Sequence, residues 1–521
     1  MRALAAAPAW GLAALAGLAH AVSLAQPWSG QPLWWLHLVS LGLLFTLLAA
    51  QPTWRRAGLM AWLFALSWLA GTWWWLFISM HVYGGLAAPL AALAVFALAT
   101  FLGSYYAAAG AFAWRLARGR RAWGALLFAA AWLLAELMRG VWFTGFPWGA
   151  GGYAHVEGPL SSLAPLIGVY GVGFVATLIA ALAGPTLATA GRRFGGAAAA
   201  LVLLVAVVAL PHREYSRPVG TFSVALLQGN IPQDEKFQGG TGVPLALDWY
   251  ARELVASRAS LVVAPETAIP LLPHDLPQRY LEGLAGHFGS GGQAALVGIP
   301  LGSFDQGYTN SVIGLRAGAE VYRFDKHHLV PFGEFIPPLF RWFTNLMNIP
   351  LGDFNRGDVG QPSFEWLGQR LAPNVCYEDL FGEELAARFI RPAEAPTVFV
   401  NVSNIGWFGD TVAIDQHLQI SRMRALEFQR PMIRATNTGA TALIDHRGVV
   451  THQLPRLTRR VLTGQVEGRD GMTPFARWSA AWGLWPLWAL GLVIVLAAAF
   501  SRRATTGATP ERTDGTDEAR P

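Results

Sequence analysis

Three side chains that suit acyl-transfer chemistry each follow an apolar run of the sequence. Glu266 comes after the run 261–264, Lys326 follows the predicted short strand 320–324, and Cys376, the one cysteine of the chain, ends the run 370–376. A cysteine nucleophile reacts as its thiolate, so it needs a base and a nearby positive charge. Glu266 is a candidate base. Lys326 is a candidate for stabilising both the thiolate and the oxyanion that forms when a carbonyl is attacked.

Each of these residues also has an ordinary structural interpretation. A lone cysteine is usually an inert core residue, Glu266 could cap a helix after Ala-Pro, and Lys326 could be a loop lysine. All three follow predicted strands, and buried strands of α/β domains commonly end at active sites. The set therefore favours catalysis by Cys376. His327 and His328 are adjacent and do not have the spacing of zinc ligands, so we predict no metal site.

The composition indicates a membrane protein. Of 521 residues, 53% are hydrophobic and 13% charged, whereas soluble domains carry about 25% charged residues. The net charge is +6, but the arginines form short clusters between apolar runs. We therefore interpret them as topology signals and expect no nucleic-acid partner.

Eight apolar runs are long enough to be predicted membrane spans, at about 3–25, 33–50, 58–79, 86–114, 122–143, 162–189, 194–210 and 476–500. Arginine clusters alternate with loops that lack Lys and Arg. The positive-inside rule then puts both termini in the cytoplasm and the segment 211–475 outside it, in the periplasm of a bacterium with two membranes. The first run could instead be a signal peptide, which leaves the position of 211–475 unchanged.

The segment 211–475 interleaves short apolar runs of strand character with helical stretches, which predicts an α/β layered domain. The sequence thus predicts four regions. Residues 1–210 form a transmembrane domain of about seven helices, 211–475 the catalytic domain, 476–500 the last transmembrane helix, and 501–521 a disordered cytoplasmic tail.

Two features near the membrane leave alternatives open. Glu136 and Arg139 share a helix face near the outer end of the fifth span. They are either a structural ion pair, or Arg139 faces the periplasm and holds a lipid phosphate. The segment 335–351 is strongly apolar and is either a buried excursion or, as we prefer, a lid on the membrane with Trp342 and Phe343 toward lipid.

The ordered set Glu266, Lys326 and Cys376 resembles the catalytic triad of the nitrilase superfamily. Within that superfamily, the arrangement of predicted membrane spans around the catalytic domain and several further sequence motifs resemble the apolipoprotein N-acyltransferase family. Those motifs are the segments 228–233 (QGNIPQ), 328–334 (HLVPFGE), 139–148 (RGVWFTGFPW) and 401–409 (NVSNIGWFG). The resemblance implies an α-β-β-α sandwich on an all-α polytopic membrane domain.

The resemblance also implies roles for individual residues. Glu266 would be the general base, Lys326 the oxyanion stabiliser and Cys376 the nucleophile. Glu334 would orient the lysine or share its proton, and two residues after the cysteine match positions that the family needs, Tyr377 and Glu378. Phe237 stands where the family would have tryptophan, so packing against an acyl chain is retained but the indole N–H is absent.

The implied reaction moves an acyl chain from a phospholipid, expected to be phosphatidylethanolamine, through a Cys376 thioester to an amine. That amine belongs to the diacylglyceryl-cysteine at the N-terminus of an apolipoprotein, in the bacterial inner membrane, and no cofactor is implied. A membrane-tethered amidase or nitrilase is the first alternative, with water as acceptor. A transporter with a ligand-binding outer domain is the second, and it would need more intramembrane charges than we see.

Overall fold

The computed structural model describes residues 7–117, 121–188, 194–210, 213–303, 305–336 and 354–506. Two parts follow each other along the chain. The first is helical and apolar. The second alternates strands and helices and returns to helix after residue 473.

The helical part begins with α1 to α3 and a short α4, which continues into a π-helical turn at Ser79–Tyr83. Longer helices follow, and Gly168 interrupts α7 with a φ of 67°. The bounds are α1 Ala7–Leu24, α2 Trp34–Ala49, α3 Trp54–Trp73, α4 Leu76–Ile78, α5 Ala88–Ala117, α6 Arg121–Val141, α7 Ala164–Ala188 and α8 Phe194–Val208.

Several of these helices can cross a bilayer, but the predicted number of eight is not confirmed. Among the described residues, three are long and apolar enough by themselves: Ala88–Ala117, Trp123–Thr144 and Ser161–Gly184. Two bent helix pairs add two further spans if each pair counts as one span. They are Trp54–Trp73 followed by Leu76–Tyr83, bent by 58°, and Pro474–Trp482 followed by Trp485–Ser501, bent by 86°. The remaining predicted spans coincide with shorter apolar helices, Pro8–Leu24, Trp34–Ala49 and Gly195–Val208.

The second part contains two six-stranded sheets, in the orders β12-β1-β2-β3-β4-β5 and β11-β10-β9-β8-β7-β6. The central strands of each sheet are parallel, and the outer pairs are antiparallel. The strands are β1 Ser216–Gln228, β2 Leu261–Val263, β3 Ala294–Ser303, β4 Gly307–Leu315, β5 Tyr322–Asp325, β6 Phe364–Trp366, β7 Gln369–Val375, β8 Val398–Ser403, β9 Met432–Thr436, β10 Ala442–Ile444, β11 Val450–Gln453 and β12 Arg460–Gly471.

Alternating side chains of the strands build separate cores on the two faces of each sheet. In β1, Val224 and Leu226 join a core between the sheets, to which β8 contributes Val400. Ala225 and Leu227 instead pack beneath helices on the outer face. The layers are therefore helix, sheet, sheet and helix. The helices are α9 Gly242–Ala256, α10 Tyr280–Ser290, α11 Gly382–Ala386, α12 Ala413–Phe428, α13 Pro474–Trp482 and α14 Trp485–Thr506.

The sheets contain two strands that the sequence did not predict, β6 and β11. Both are short edge strands, and most side chains of β11 are exposed. The exposed residues of β11 lack the buried apolar alternation that reveals a strand in a sequence. β6 has only three residues, with Phe364 in the core, and is too short for an alternation to be recognised.

The outer helix α12 joins the α/β part to the apolar helices. Gln416 Oε1 accepts hydrogen bonds from the indole N–H groups of Trp75, at 3.0 Å, and Trp148, at 2.8 Å. Glu427 accepts the backbone N–H of Val169, directly after the break in α7, at 2.6 Å. These buried bonds fix the α/β part on one end of the helical part.

Candidate active site

The three candidate residues converge because each follows a strand of the sandwich. Glu266 lies three residues after β2, Lys326 directly follows β5, and Cys376 directly follows β7. Lys326 Nζ lies 3.7 Å from Glu266 Oε1. Both residues also act electrostatically on the Cys376 thiol. The structure thus brings residues 266, 326 and 376 into one site, in which Glu266 and Lys326 are buried and Cys376 is half-buried.

Glu334 is the main partner of the lysine. Lys326 Nζ, which is 1% exposed, lies 2.8 Å from Glu334 Oε2 and donates to Oε1 at 2.9 Å. Asn310 on β4 bridges the two carboxylates through Nδ2, donating to Glu266 Oε1 at 2.7 Å and to Glu334 Oε1 at 2.8 Å. The carboxylates raise the pKa of Lys326 despite its burial, so the ammonium is charged at neutral pH.

Backbone N–H groups hold the far oxygens of both carboxylates. Asn404 N donates to Glu266 Oε2 at 2.7 Å, and Val330 N donates to Glu334 Oε2 at 2.8 Å. Each carboxylate is therefore fixed on one side by a backbone N–H group and on the other by the side chain of Asn310.

Cys376 sits on a sharp turn out of β7, with a φ of 51° in the left-handed region. A residue with a Cβ adopts this conformation rarely, and surrounding contacts must hold it there. Its carbonyl accepts from Asn401 Nδ2 at 3.1 Å and lies 3.2 Å from His417 Nε2. Because Arg434 Nη2 donates to His417 Nδ1 at 2.9 Å, the ring proton is on Nε2 and points at the Cys376 carbonyl and Asp379.

The thiol is protonated in the resting site. Burial, followed by the negative charge of Glu266, raises the pKa of Cys376 to about 12, although Lys326 acts in the opposite direction. Lys326 does lower the pKa of the thiol, as expected, but burial and Glu266 together raise it by more. Attack by sulphur thus requires the proton to leave as the substrate arrives, and Glu266 is the adjacent carboxylate.

Glu378 and Tyr377, which follow Cys376 in the chain, connect the site to neighbouring segments. Glu378 accepts three backbone N–H groups, from Val375 at 2.6 Å, His327 at 2.7 Å and His328 at 3.2 Å. It therefore ties the end of the cysteine strand to the segment that carries Lys326. The hydroxyl of Tyr377 donates to the carbonyl of Gly145 in the helical part, at 3.0 Å.

Arg139 does not face the water outside the membrane, contrary to the phosphate-binding interpretation. Its side chain is 0% exposed. It donates to Tyr106 Oη at 2.8 Å, to the carbonyl of Phe146 at 2.6 Å and to that of Trp148 at 2.9 Å. These acceptors draw the guanidinium inward, and Glu136 accepts the N–H of Gly151 at 2.8 Å instead of a hydrogen bond from Arg139.

The other residues expected to contact lipid are only partly described. Phe237 is half-buried, and the Lys236 ammonium lies 5.9 Å from its ring centroid. Trp342 and Phe343 lie outside the described residues. Within the ranges that the structure describes, no group of three or more His, Cys, Asp or Glu side chains could hold a metal ion.

Sequence reasoning missed several residues of the site. Lys236 is 1% exposed and donates to the carbonyl of Glu266 at 3.0 Å. Asn310 and the buried group His417, Asp379 and Arg434 are also new. The sequence motifs 228–233 and 401–409 lie close to some of these residues along the chain. A motif does not show, however, which of its polar side chains point into the site.

Two family matches and two close relatives agree with this architecture. Residues 11–182 match the apolipoprotein N-acyltransferase N-terminal domain and residues 223–470 match carbon-nitrogen hydrolase. An apolipoprotein N-acyltransferase of Verminephrobacter eiseniae is 61% identical, covering 91% of this chain and 94% of the relative. One of Ralstonia nicotianae is 48% identical, covering 95% and 94%.

Among solved structures, a carbon-nitrogen hydrolase superfamily protein of Xanthomonas campestris matches with a TM-score of 0.37 and 19% identity. It covers 51% of this chain and 96% of its own. The two relatives instead match over nearly their whole length, through the helical part and the α/β part together. The chain therefore belongs to the apolipoprotein N-acyltransferase family.

Proposed function

We propose that Cys376 carries an acyl chain from a membrane phospholipid to the N-terminal amine of a diacylated apolipoprotein. As a member of its family, the chain is a membrane acyltransferase that N-acylates lipoproteins. The observation that carries the proposal is the convergence of a carboxylate, an ammonium group and the single thiol of the chain at three strand ends.

The first half-reaction forms a thioester. Glu266 takes the thiol proton while sulphur bonds to the ester carbonyl carbon, and the carbonyl oxygen becomes an oxyanion beside Lys326. Collapse of this tetrahedral intermediate breaks the bond to the glycerol oxygen. That oxygen takes the proton from Glu266 and leaves as a lysophospholipid.

The second half-reaction forms an amide. The acceptor amine bonds to the thioester carbonyl carbon and loses a proton to Glu266, and the intermediate then expels the sulphur. The proton returns to Cys376, so the site is restored. Because an amide is more stable than a thioester, this direction is downhill.

Contacts with the helical part support a donor that comes from the bilayer. Tyr377, the residue after the nucleophile, donates to the carbonyl of Gly145, and its ring centroid lies 6.3 Å from that of Phe146. Both partners lie in the short connection that follows α6. The nucleophile is thus close to the end of an apolar helix, where an acyl chain would arrive without crossing water.

The proposed topology has eight spans, both termini in the cytoplasm and the α/β domain in the periplasm of an inner membrane. It is supported by the arginine clusters and by the apolar helices at the eight predicted places. Reporter fusions at Arg192 and near Asp470 should read cytoplasmic and periplasmic, respectively. A cytoplasmic reading near Asp470 would contradict the scheme.

The acyl-enzyme is tested by intact-protein mass. Purified protein incubated with phosphatidylethanolamine and no acceptor should gain the mass of one acyl chain, and neutral hydroxylamine should remove it. Cys376→Ala should gain nothing. An unchanged wild-type mass, or a gain that survives in Cys376→Ala, would refute the thioester.

A further inference from the structure

The chain contains 38 lysine and arginine residues, of which only Lys236 and Lys326 are lysines. Both lie in the candidate active site, and each is 1% exposed. Every other residue in this count is an arginine. An ammonium group differs from a guanidinium in being a compact charge with three N–H donors, and both lysine ammonium groups of this chain lie in the candidate active site.

The two lysines differ in how far their N–H groups are already occupied. Lys326 faces both oxygens of Glu334 and lies near Glu266. Within the described part of the chain, the single hydrogen-bond acceptor of Lys236 Nζ is the carbonyl of Glu266, at 3.0 Å. An ammonium group has three N–H donors, so Lys236 retains donors inside a buried site.

The residue one turn earlier presents a second unused donor. Gln233 is 7% exposed, and its Nε2 has no hydrogen-bond partner among the residues described. Its Oε1 is held by Asn404 Nδ2 at 2.8 Å, and Asn404 N in turn donates to Glu266 Oε2. Lys236 therefore contacts Glu266 directly at its carbonyl, whereas Gln233 is linked to its carboxylate through Asn404.

A buried donor without an acceptor carries a desolvation cost, which an arriving anion removes. Burial lowers the pKa of Lys236 to about 7, although the charges of Glu266 and Cys376 act in the opposite direction. An anionic oxygen formed during the reaction would favour the ammonium form again.

We propose that Lys236 is a further catalytic residue, a second ammonium group that stabilises the oxyanion formed when Cys376 attacks an acyl carbonyl. This inference rests on the proposed thioester chemistry. The π electrons of the carbonyl move to its oxygen as the S–C bond forms, and the new charge meets Lys236 as well as Lys326. Lys236 acts in its protonated form and transfers no proton to the substrate, so the proton transfers of Glu266 are unchanged.

The direct test compares Lys236→Met with the wild-type enzyme in single-turnover acylation. The donors are phosphatidylethanolamine and a long-chain ester that lacks phosphate. Loss of one oxyanion donor should slow acylation by roughly 10²–10³-fold with both donors, while KM changes little. Lys236→Arg should recover only part of the rate. Gln238→Ala, an exposed change in the same segment, is the matched control and should acylate normally.

Two outcomes of this experiment would overturn the inference. A loss of rate with phosphatidylethanolamine alone would show that Lys236 binds the lipid phosphate. An undiminished rate with both donors would show that Lys236 only holds the backbone at Glu266 through its hydrogen bond to the carbonyl. Failure of the proposed function looks different, because the wild-type protein itself would then form no adduct.

A measurement on the wild-type chain avoids any folding defect of the variants. With carbon-13 lysine labelling, the two lysine side chains give two Cε signals, assigned by the loss of one in Lys236→Arg. A long-chain trifluoromethyl ketone adds to the thiol and forms a stable oxyanion. Both signals should shift on its addition, and neither should shift in Cys376→Ala. An unmoved Lys236 signal in the wild-type enzyme would refute the inference.

Discussion

Two of the clusters of buried polar groups among the described residues differ in what their hydrogen bonds reach. In the helical part, Arg139 and Glu136 bond mainly to backbone groups of the connection 144–155. In the candidate active site, Asn310 and Lys326 bond to the carboxylates of Glu266 and Glu334. Bonds to backbone fix a loop, whereas bonds between side chains permit a proton to move without disturbing the chain. The comparison teaches that burial of charge alone does not mark a catalytic site.

The largest expected effect is a loss of acylation when Glu266 of the candidate active site is changed. Glu266→Gln keeps the shape of the side chain but removes the proposed base, so acylation should fall by about 10²–10⁴-fold with little change in the unfolding temperature. Single-turnover mass measurements and thermal unfolding report the two quantities. The exposed Glu365→Gln is the control. Acylation at a normal rate in Glu266→Gln would remove Glu266 from the mechanism.

The next effect concerns the thiol. Its pKa is raised from 9.0 to about 12, so at neutral pH the resting site holds about a thousandfold less thiolate than an ordinary cysteine would. The rate of alkylation by a small neutral reagent should therefore keep rising tenfold per pH unit through pH 10. A rate that reaches its plateau near pH 8 would show a resting thiolate and would contradict the assigned role of Glu266.

The helical cluster should respond in stability rather than in chemistry. Arg139→Met leaves the carbonyls of Phe146 and Trp148 without their donor and Glu136 without a nearby cation. The cost should be about 3–5 kcal/mol of unfolding free energy, measured by denaturation in detergent. Acylation per folded molecule should stay near normal. The exposed Arg55→Met is the control. A stable Arg139→Met protein that cannot acylate would place Arg139 in catalysis.

Most of the α/β layering, and the position of Glu266, Lys326 and Cys376 at strand ends, could be predicted from the sequence because buried strands leave apolar runs and the polar residues follow them. Three things were not readable. The edge strand β11 has no apolar alternation. The inward turn of Arg139 depends on carbonyls that only the fold brings near. Lys236 was not singled out, since nothing in the neighbouring sequence shows that its side chain reaches Glu266.

The smallest expected effect tests the contact between the two parts. Tyr377→Phe removes one hydrogen bond, from the hydroxyl to the carbonyl of Gly145, and keeps the ring packing. The unfolding free energy should fall by about 1 kcal/mol, and acylation should slow only severalfold. A loss as large as that of Glu266→Gln would mean that the hydroxyl itself takes part in the reaction.

The fate of the acyl-enzyme tests the central claim most directly. Wild-type protein carrying one acyl chain should be followed by mass in three parallel reactions: with a diacylated lipopeptide that has a free N-terminal amine, with the same peptide N-acetylated, and with buffer alone. The account predicts rapid discharge to an N-acylated peptide in the first reaction and a persistent adduct in the other two. Discharge in buffer as fast as with the free amine would make the protein a hydrolase and contradict the account.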